Sequence, residues 1–489
     1  MQFKVFGCKV NKYYTDNWLN SEYLSDKTGI FVASCVVTDK AKRKWIKFVK
    51  QAVRELRNPP PSVPPQNGEG GFAEPKIFIS GCGAFKKGKA QEDFFDIYPE
   101  LAEFQDKIVV LGEKPEELER EIDGETKKEK KNQSPLEREM SRNTLKGTSE
   151  TEGLGIKNKI KKLPQIYTKK FLLIQGGCNS FCTFCLTVQK RGRHYFRDKD
   201  DIVQEILEFE KNGGKEVVLT GVNLSAWGLQ DTNDTSVSRF AELLEYILKN
   251  TSIPRVRISS MGPEFIDEKC LEVFKETRIY PHFHYSVQSG SSKVLKAMRR
   301  HYDGKYMRDL LEKTKNLKRE DGVEVSVGAD LIVGFPGETQ KDFEDTYNLV
   351  KDGLITKVHA FPFSAHTFGE SVPAGRFPDQ VSDTEKKERM WKLEAIADQV
   401  REDFIERNIG KTFKVLIEVV KGSSLCPDGH LPPSRETQTS PSPSLVRRGN
   451  NQEIKWKGWT ENYIEADEKT FEIIEGKIEK NTIVIGKLK

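Results

Sequence analysis

A chain of 489 residues, 36% hydrophobic and 31% charged, with a formal net charge of +5, is too long for one hydrophobic core and predicts two to four domains. A mean hydropathy of −0.61 and the lack of any run of about eighteen apolar residues exclude a membrane-spanning helix; a cytoplasmic protein is expected, whose eight cysteines read as ligands rather than disulfides. The sequence pI of about 8.5 suits a nucleic-acid partner.

The N-terminus starts like a strand and lacks the apolar core of a signal peptide. Val5-Phe6-Gly7-Cys8, residues 29–35 and residues 76–82 each read as a strand running into a loop. Residues 107–112 read as a fourth strand, and helical periodicity covers 38–57. Together they predict a small α/β domain with a largely parallel sheet. Cys8, Cys35 and Cys82 all fall at strand ends, where an open α/β sheet lines its ligand crevice. Three cysteines distant in sequence are thereby placed to converge on one cluster; ordinary buried cysteines are the alternative. Residues 58–75, with three consecutive prolines at 59–61, read as an exposed insertion. Residues 119–164, rich in Lys, Glu, Ser and Asn, read as a disordered linker. The lysines near its end (Lys157, Lys159, Lys161, Lys162, Lys169 and Lys170) are solvated or touch an RNA backbone.

After the apolar run Phe171-Leu172-Leu173-Ile174 comes Gly176-Gly177-Cys178-Asn179-Ser180-Phe181-Cys182-Thr183-Phe184-Cys185. Three thiolates in so short a loop wrap one corner of an iron–sulfur cube and leave one iron without a protein ligand. A zinc site or free core cysteines are the alternatives, but zinc prefers paired CxxC units that close four ligands, and no second pair exists. Strands at 171–174, 217–219, 256–258, 282–287, 323–333 and 357–363 alternate with amphipathic helices at 200–212, 240–249, 264–277, 306–318 and 340–351. Six βα units in series imply a parallel sheet closed into a partial TIM-type (β/α)6 barrel, with the cysteine loop at its C-terminal mouth. The turns after the strands carry Thr220-Gly221, Ser259-Ser260, Gln288-Ser289-Gly290 and Gly334 to Gly337. In register with the cysteine loop they fit a cofactor pocket; plain βα connections are the alternative.

From Thr412 the pattern turns to β. Strands at 412–420, 454–459, 462–466 and 482–487 predict a small antiparallel barrel over 408–489, interrupted by the low-complexity residues 422–452. Trp456, Trp459 and Tyr463 lie among Lys455 and Lys457. Interleaved aromatic and basic residues suit stacking on single-stranded bases, or they serve the core.

These motifs resemble the methylthiotransferases of the radical S-adenosylmethionine (SAM) superfamily. The resemblance lies in Phe6-Gly7-Cys8-Lys9-Val10-Asn11, Ser34-Cys35-Val36-Val37-Thr38-Asp39-Lys40-Ala41, Ser80-Gly81-Cys82-Gly83-Ala84, the loop from Gly177 to Cys185, the run from His284 to Ser291, and Asp330 to Thr339. Gly458-Trp459-Thr460-Glu461-Asn462-Tyr463-Ile464 resembles the terminal RNA-binding TRAM domain. The resemblance implies a methylthiotransferase domain at 1–118, a radical SAM domain at 165–400 and a TRAM-like domain at 408–489. It implies two 4Fe-4S clusters. One, on Cys178, Cys182 and Cys185, would take SAM at its open iron; the other, on Cys8, Cys35 and Cys82, would hold the sulfur. By strand-end position Thr220, Gly221, Ser259, Gln288 and Gly337 are the expected SAM contacts, with Phe184 inside the cysteine loop. The expected partners are the tRNA anticodon arm and a flavodoxin- or ferredoxin-type electron donor.

One branch of the family modifies isopentenyladenosine in tRNA, a second threonylcarbamoyladenosine at position 37, a third an aspartate of a ribosomal protein. Thr38, three residues after Cys35, is most like the threonylcarbamoyl branch; the isopentenyl branch tends to have Arg there. Ala33-Ser34, Phe85, Asp303 and Ala365-His366 depart from the common pattern without touching a cluster cysteine. An iron–sulfur RNA-binding protein without turnover is the reading from another class.

Overall fold

Four short parallel strands open the chain: β1 Gln2–Val5, β2 Gly29–Ser34, β3 Lys76–Gly81 and β4 Ile108–Val110, paired in chain order. The computed structural model describes residues 1–57, 74–115, 167–230, 238–367, 370–420 and 455–489. The expected linker 119–164 and almost all of the insertions at 58–75 and 422–452 lie outside the described residues. Central strands β2 and β3 are covered on both faces, which is why they read as unbroken apolar runs. On one face helix α2 (Asp39–Arg57) buries Trp45, Val49, Ala52 and Val53, spaced as one helical stripe, against Ile77 and Ile79. On the other, helix α1 (Lys9–Leu19) buries Trp18 among Phe3, Phe31 and Phe78.

The middle of the chain builds a parallel wall from β5 Lys170–Leu173, β6 Glu216–Thr220, β7 Arg255–Ile258, β8 Ser260–Met261, β9 His282–Gln288, β10 Ser326–Val333 and β11 Lys357–Pro362. The pairings run β5 to β6 to β7 and β8 to β9 to β10 to β11, with Ser259 alone between β7 and β8. Among the described residues β5 and β11 do not pair, so the barrel is partial and open on one side. The helices Lys199–Lys211, Phe240–Asn250, Gly304–Lys315 and Gln340–Lys351 pack outside it. Residues 264–277, expected as one helix, instead form a turn at Pro263–Phe265 and a short helix at Glu268–Val273. The side chain of Asp267 accepts from Cys270 N and so starts a new helix where the expected one would continue.

A 24-residue helix, Asp383–Glu406, follows and leads into an antiparallel sheet of β12 Thr412–Val420, β13 Trp456–Trp459, β14 Glu465–Asp467, β15 Phe471–Glu475 and β16 Ile483–Leu488, in the order 14-13-12-16-15. Strand β15 was not expected: only Phe471 in it is buried, so its sequence lacks a strand's alternation. The aromatic residues of this sheet differ from the base-stacking expectation. Trp456 is core. Tyr463 is sandwiched between Trp459, with ring centroids 4.6 Å apart, and His282 of the barrel, 4.3 Å away. The stack is turned onto the barrel, where burying its apolar faces outweighs leaving them in water. Among the described residues no helix is long and apolar enough to cross a membrane.

Candidate active site

A cavity of about 770 Å³ lies between the N-terminal sheet's strand ends and the open side of the barrel. Cys8, Cys35 and Cys82 line it together, and Cys185 faces them from the barrel's first loop.

The N-terminal triad is drawn together by glycines and one asparagine. Gly7 has φ +99°, and a Cβ there would lie 2.9 Å from Cys35 Sγ. Gly81 has φ +91°, and a Cβ there would lie 2.4 Å from Ser34 O. Only glycine permits both the backbone and the approach. The amide of Asn11 donates to Phe6 O at 2.7 Å and to Ser34 O at 2.8 Å, tying the loop of Cys8 to that of Cys35. Trp45 Nε1 donates to Cys35 O at 3.1 Å. From the barrel side comes Arg191, which pairs with Glu113, donates to Asn11 Oδ1 at 2.9 Å, and sets its charge against the thiol of Cys82.

The loop triad is held by its own backbone. Gly177 has φ +61°, and a Cβ there would sit 1.8 Å from Arg193 O. Ser180 N donates to Cys178 Sγ and Thr187 N to Cys185 Sγ, each at 3.4 Å. Arg300 Nη1 donates to Cys182 Sγ at 3.4 Å. Burial pushes the thiols of Cys35 and Cys185 up to about 12 and raises those of Cys82 and Cys182. Such thiols ionise only against a cation, as ligands to metal do. Neither triad is as tight as a single-ion site. Three sulfurs on one zinc lie about 3.8 Å apart. Among the described residues the only three metal-ligating side chains whose ligand atoms lie within 4.8 Å of one another are His284, Asp330 and His359. The cysteine triads are therefore not gathered tightly enough for one zinc ion.

Beneath the rim the barrel's interior is polar, unlike the apolar layers that usually fill such a barrel. Because alternate residues of a strand share a face, Arg255, Arg257 and Ser259 line up inward, as do His282 and His284, and Gly328 and Asp330. Glu216 bonds Arg255 Nε at 2.7 Å and Arg257 Nε at 3.0 Å. Burial would raise the carboxyl of Glu216, but Arg257 and Arg255 hold it well below the usual carboxylate range. Asp330 Oδ1 lies 3.0 Å from His284 Nε2 and 3.6 Å from His359 Nδ1. Against the effect of burial, the two imidazoles hold the Asp330 carboxyl down in the same way. Gly328 makes room for them: a Cβ there would lie 2.5 Å from His284 Nδ1.

Of the expected SAM contacts, Phe184, Gly221, Ser259 and Gln288 line the cavity, whereas Thr220 and Gly337 do not. Thr220 is fully buried within its strand. Gly337 lies in the turn before helix Gln340–Lys351, its N–H donating to Asp379 O at 2.9 Å. Sequence reasoning missed Lys9, Arg191, Arg300, His284, Asp330 and His359 as site residues. The histidines and the aspartate were findable, as polar residues at inward positions of otherwise apolar strands.

A family model, the radical SAM superfamily, matches residues 172–350. The chain is 31% identical over 440 residues to the threonylcarbamoyladenosine tRNA methylthiotransferase MtaB of Thermotoga maritima, covering 86% of this chain and 88% of that protein. It is 33% identical to the protein of that name from Bacillus subtilis, over 65% of this chain and 62% of the relative's length. It is 28% identical to the tRNA-2-methylthio-N(6)-dimethylallyladenosine synthase of Agrobacterium fabrum, over 85% of this chain and 86% of that one.

Proposed function

The chain belongs to the radical SAM family of tRNA methylthiotransferases, and from that premise we propose that it adds a methylthio group to C2 of N6-threonylcarbamoyladenosine at position 37, beside the tRNA anticodon. The observation that carries this reading is the meeting on one cavity of Cys8, Cys35 and Cys82, from three separate strand ends, with Cys185 of the loop that also carries Cys178 and Cys182. Cys178, Cys182 and Cys185 would hold a 4Fe-4S cluster with an iron left for SAM; Cys8, Cys35 and Cys82 would hold a second. The convergence of the first triad on the cavity and the glycines that admit close approach suit those groups. Bound there, the clusters and SAM supply a radical for the inert C2–H bond and a sulfur for that carbon, chemistry beyond acid–base groups.

This chain's own residues do the positioning. Asn11 and Arg191 fix the first triad against the barrel. Phe184, Gly221, Ser259 and Gln288 face the space that SAM would fill. Val36, Ile332, Phe361 and Phe363 line the remaining wall and keep water from it. Thr38 lines the cavity too, its Oγ1 accepting from Ala41 N at 3.1 Å and so capping α2. The TRAM-like sheet would hold the anticodon arm, and a flavodoxin- or ferredoxin-type protein would deliver the electron. Both the Thr38 signature and the Thermotoga relative favour threonylcarbamoyladenosine; the Agrobacterium relative keeps dimethylallyladenosine as the second reading.

Anaerobic reconstitution tests the division of labour. Two four-iron clusters give about eight irons per chain. Changing Cys8, Cys35 and Cys82 together to Ala should halve the iron, retain 5′-deoxyadenosine formation from SAM and dithionite, and abolish methylthiolation. Loss of SAM cleavage with them would overturn the assignment. Mass spectrometry of tRNA nucleosides from a deletion strain names the substrate: loss of the methylthio derivative of threonylcarbamoyladenosine is expected, and loss of the dimethylallyl one instead would shift the reading to that branch.

A further inference from the structure

We infer that Lys9 forms a subsite for a carboxylate in the wall of the cavity, and that the carboxylate it takes is the one on the substrate's threonylcarbamoyl group. The inference rests on the methylthiotransferase reading and adds to it the residue that selects the substrate.

The argument is one of unmatched charge. Lys9 opens α1 directly after Cys8, lines the cavity and is half-buried. It shares that lining with His284, Asp330 and His359 of the barrel's polar interior. The carboxylates there are already engaged: Glu216 by Arg255 and Arg257, Asp330 by His284 and His359. The other lysines of the cavity wall are either satisfied or wet. Lys190 pairs with Glu370 at 2.6 Å and Gln91 at 2.8 Å. Lys12 lies over the rings of Tyr167 and Phe171. Lys44 is exposed. Among the described residues Lys9 has neither an ion pair nor a hydrogen bond. An ammonium withdrawn from water without a partner is costly; a bound anion removes the cost.

Two carboxylates are candidates, because SAM also carries one. Position favours the substrate. Gly221, Ser259 and Gln288 mark the rim, while His284, Asp330 and His359 lie deeper along their strands, and Lys9 adjoins the N-terminal triad rather than the loop triad. A threonylcarbamoyl group ends in a carboxylate, and a dimethylallyl group carries no charge. A site with a buried charge rejects the uncharged analogue strongly, because its own charge is then left unpaired.

The test uses the full-length reconstituted protein and anticodon stem-loops bearing, at position 37, threonylcarbamoyladenosine, its uncharged carboxamide analogue or dimethylallyladenosine. Binding is measured anaerobically by fluorescence anisotropy. The wild type should bind the acid about tenfold or more tighter than the carboxamide. Lys9→Met should close that gap and Lys9→Arg should keep it, with iron content verifying that each variant is loaded. Equal affinity of the wild type for acid and carboxamide overturns the inference without recourse to any variant. So does a gap that persists in Lys9→Met, and so does weaker SAM binding in Lys9→Met with the gap intact, which would assign the ammonium to the SAM carboxylate. Methylthiolation of the dimethylallyl stem-loop and not of the threonylcarbamoyl one sinks the parent reading instead.

Discussion

The side chain of Arg300 is 8% exposed, and it makes one of its contacts to sulfur: Nη1 donates to Cys182 Sγ at 3.4 Å, while Nε donates to Tyr302 Oη at 2.8 Å and Nη2 to Ser286 O at 3.2 Å. A hydrogen bond from a cation to a ligand sulfur withdraws charge from a cluster and raises its reduction potential. Arg300→Met should therefore lower the potential of the cluster on the cysteine loop. The measurement is an anaerobic redox titration followed by electron paramagnetic resonance, made with Cys8, Cys35 and Cys82 changed to Ala so that one cluster remains. An unmoved potential would leave Arg300 as a brace for Tyr302, Ser286 and its ion-pair partner Glu264. At this scale the cysteines were legible because their spacing and strand-end position are local facts. Arg300 and Arg191 were not, since each reaches its sulfur across more than a hundred residues of chain, and no periodicity records that.

Among elements, the parallel strands and most helices followed from the alternation of apolar runs with helical stripes, and helix Gln340–Lys351 has the expected bounds. The helix Asp383–Glu406 was not anticipated, although its capping box, Ser382 with Glu385, is visible in the sequence. It carries Arg389, the partner that joins it to the turn after β10. Arg389 Nη1 donates to Glu338 Oε2 at 3.0 Å and to Glu338 O at 3.1 Å. Ion pairing should hold Glu338 ionised, but its side chain is 1% exposed, and burial outweighs the pair, raising its carboxyl to about 7. A carboxyl raised on folding favours the fold most while it is neutral. Its contribution is full below its unfolded value of 4.5 and is lost as pH climbs through about 7. Between pH 5 and pH 8 the wild type should lose stability relative to Glu338→Gln, by about 3 kcal/mol at most. Thermal melts of the two proteins across that range give the sign. If the difference between the two proteins instead stays flat from pH 5 to pH 8, the Arg389 pair dominates and the carboxylate is ionised throughout.

In the whole molecule, the barrel's polar interior is shared by three parts of the chain. Helix α1 sets Lys9 on the cavity to which this interior opens, the strands supply Asp330 and the histidines, and the C-terminal sheet docks onto its far side. That docking is polar as well as aromatic. Arg255 Nη1 and Nη2 donate to Lys414 O and Trp459 O at 3.2 and 3.1 Å. Arg257 Nη1 and Nη2 donate to Glu461 O and Thr460 O at 3.4 and 3.3 Å. Both guanidiniums are aimed by one carboxylate, Glu216, and all three side chains are at most 2% exposed. Read along the chain, each of these strands is an ordinary mix of apolar and charged residues; nothing local records that the charges face inward and satisfy the carbonyls of the C-terminal sheet. Glu216→Ala would leave two buried cations without a counterion, a loss on the order of 3–5 kcal/mol, and would free the arginines from the carbonyls they hold. The expected outcome is a lower melting temperature together with earlier tryptic release of the C-terminal sheet. Glu216→Gln, which keeps the shape and one acceptor, should fall between. A variant that melts earlier but releases the sheet no faster would show that other contacts, the Trp459–Tyr463–His282 stack and the Asn462 bond to Glu324 O among them, hold the sheet to the barrel, and that the ion triad serves only the barrel.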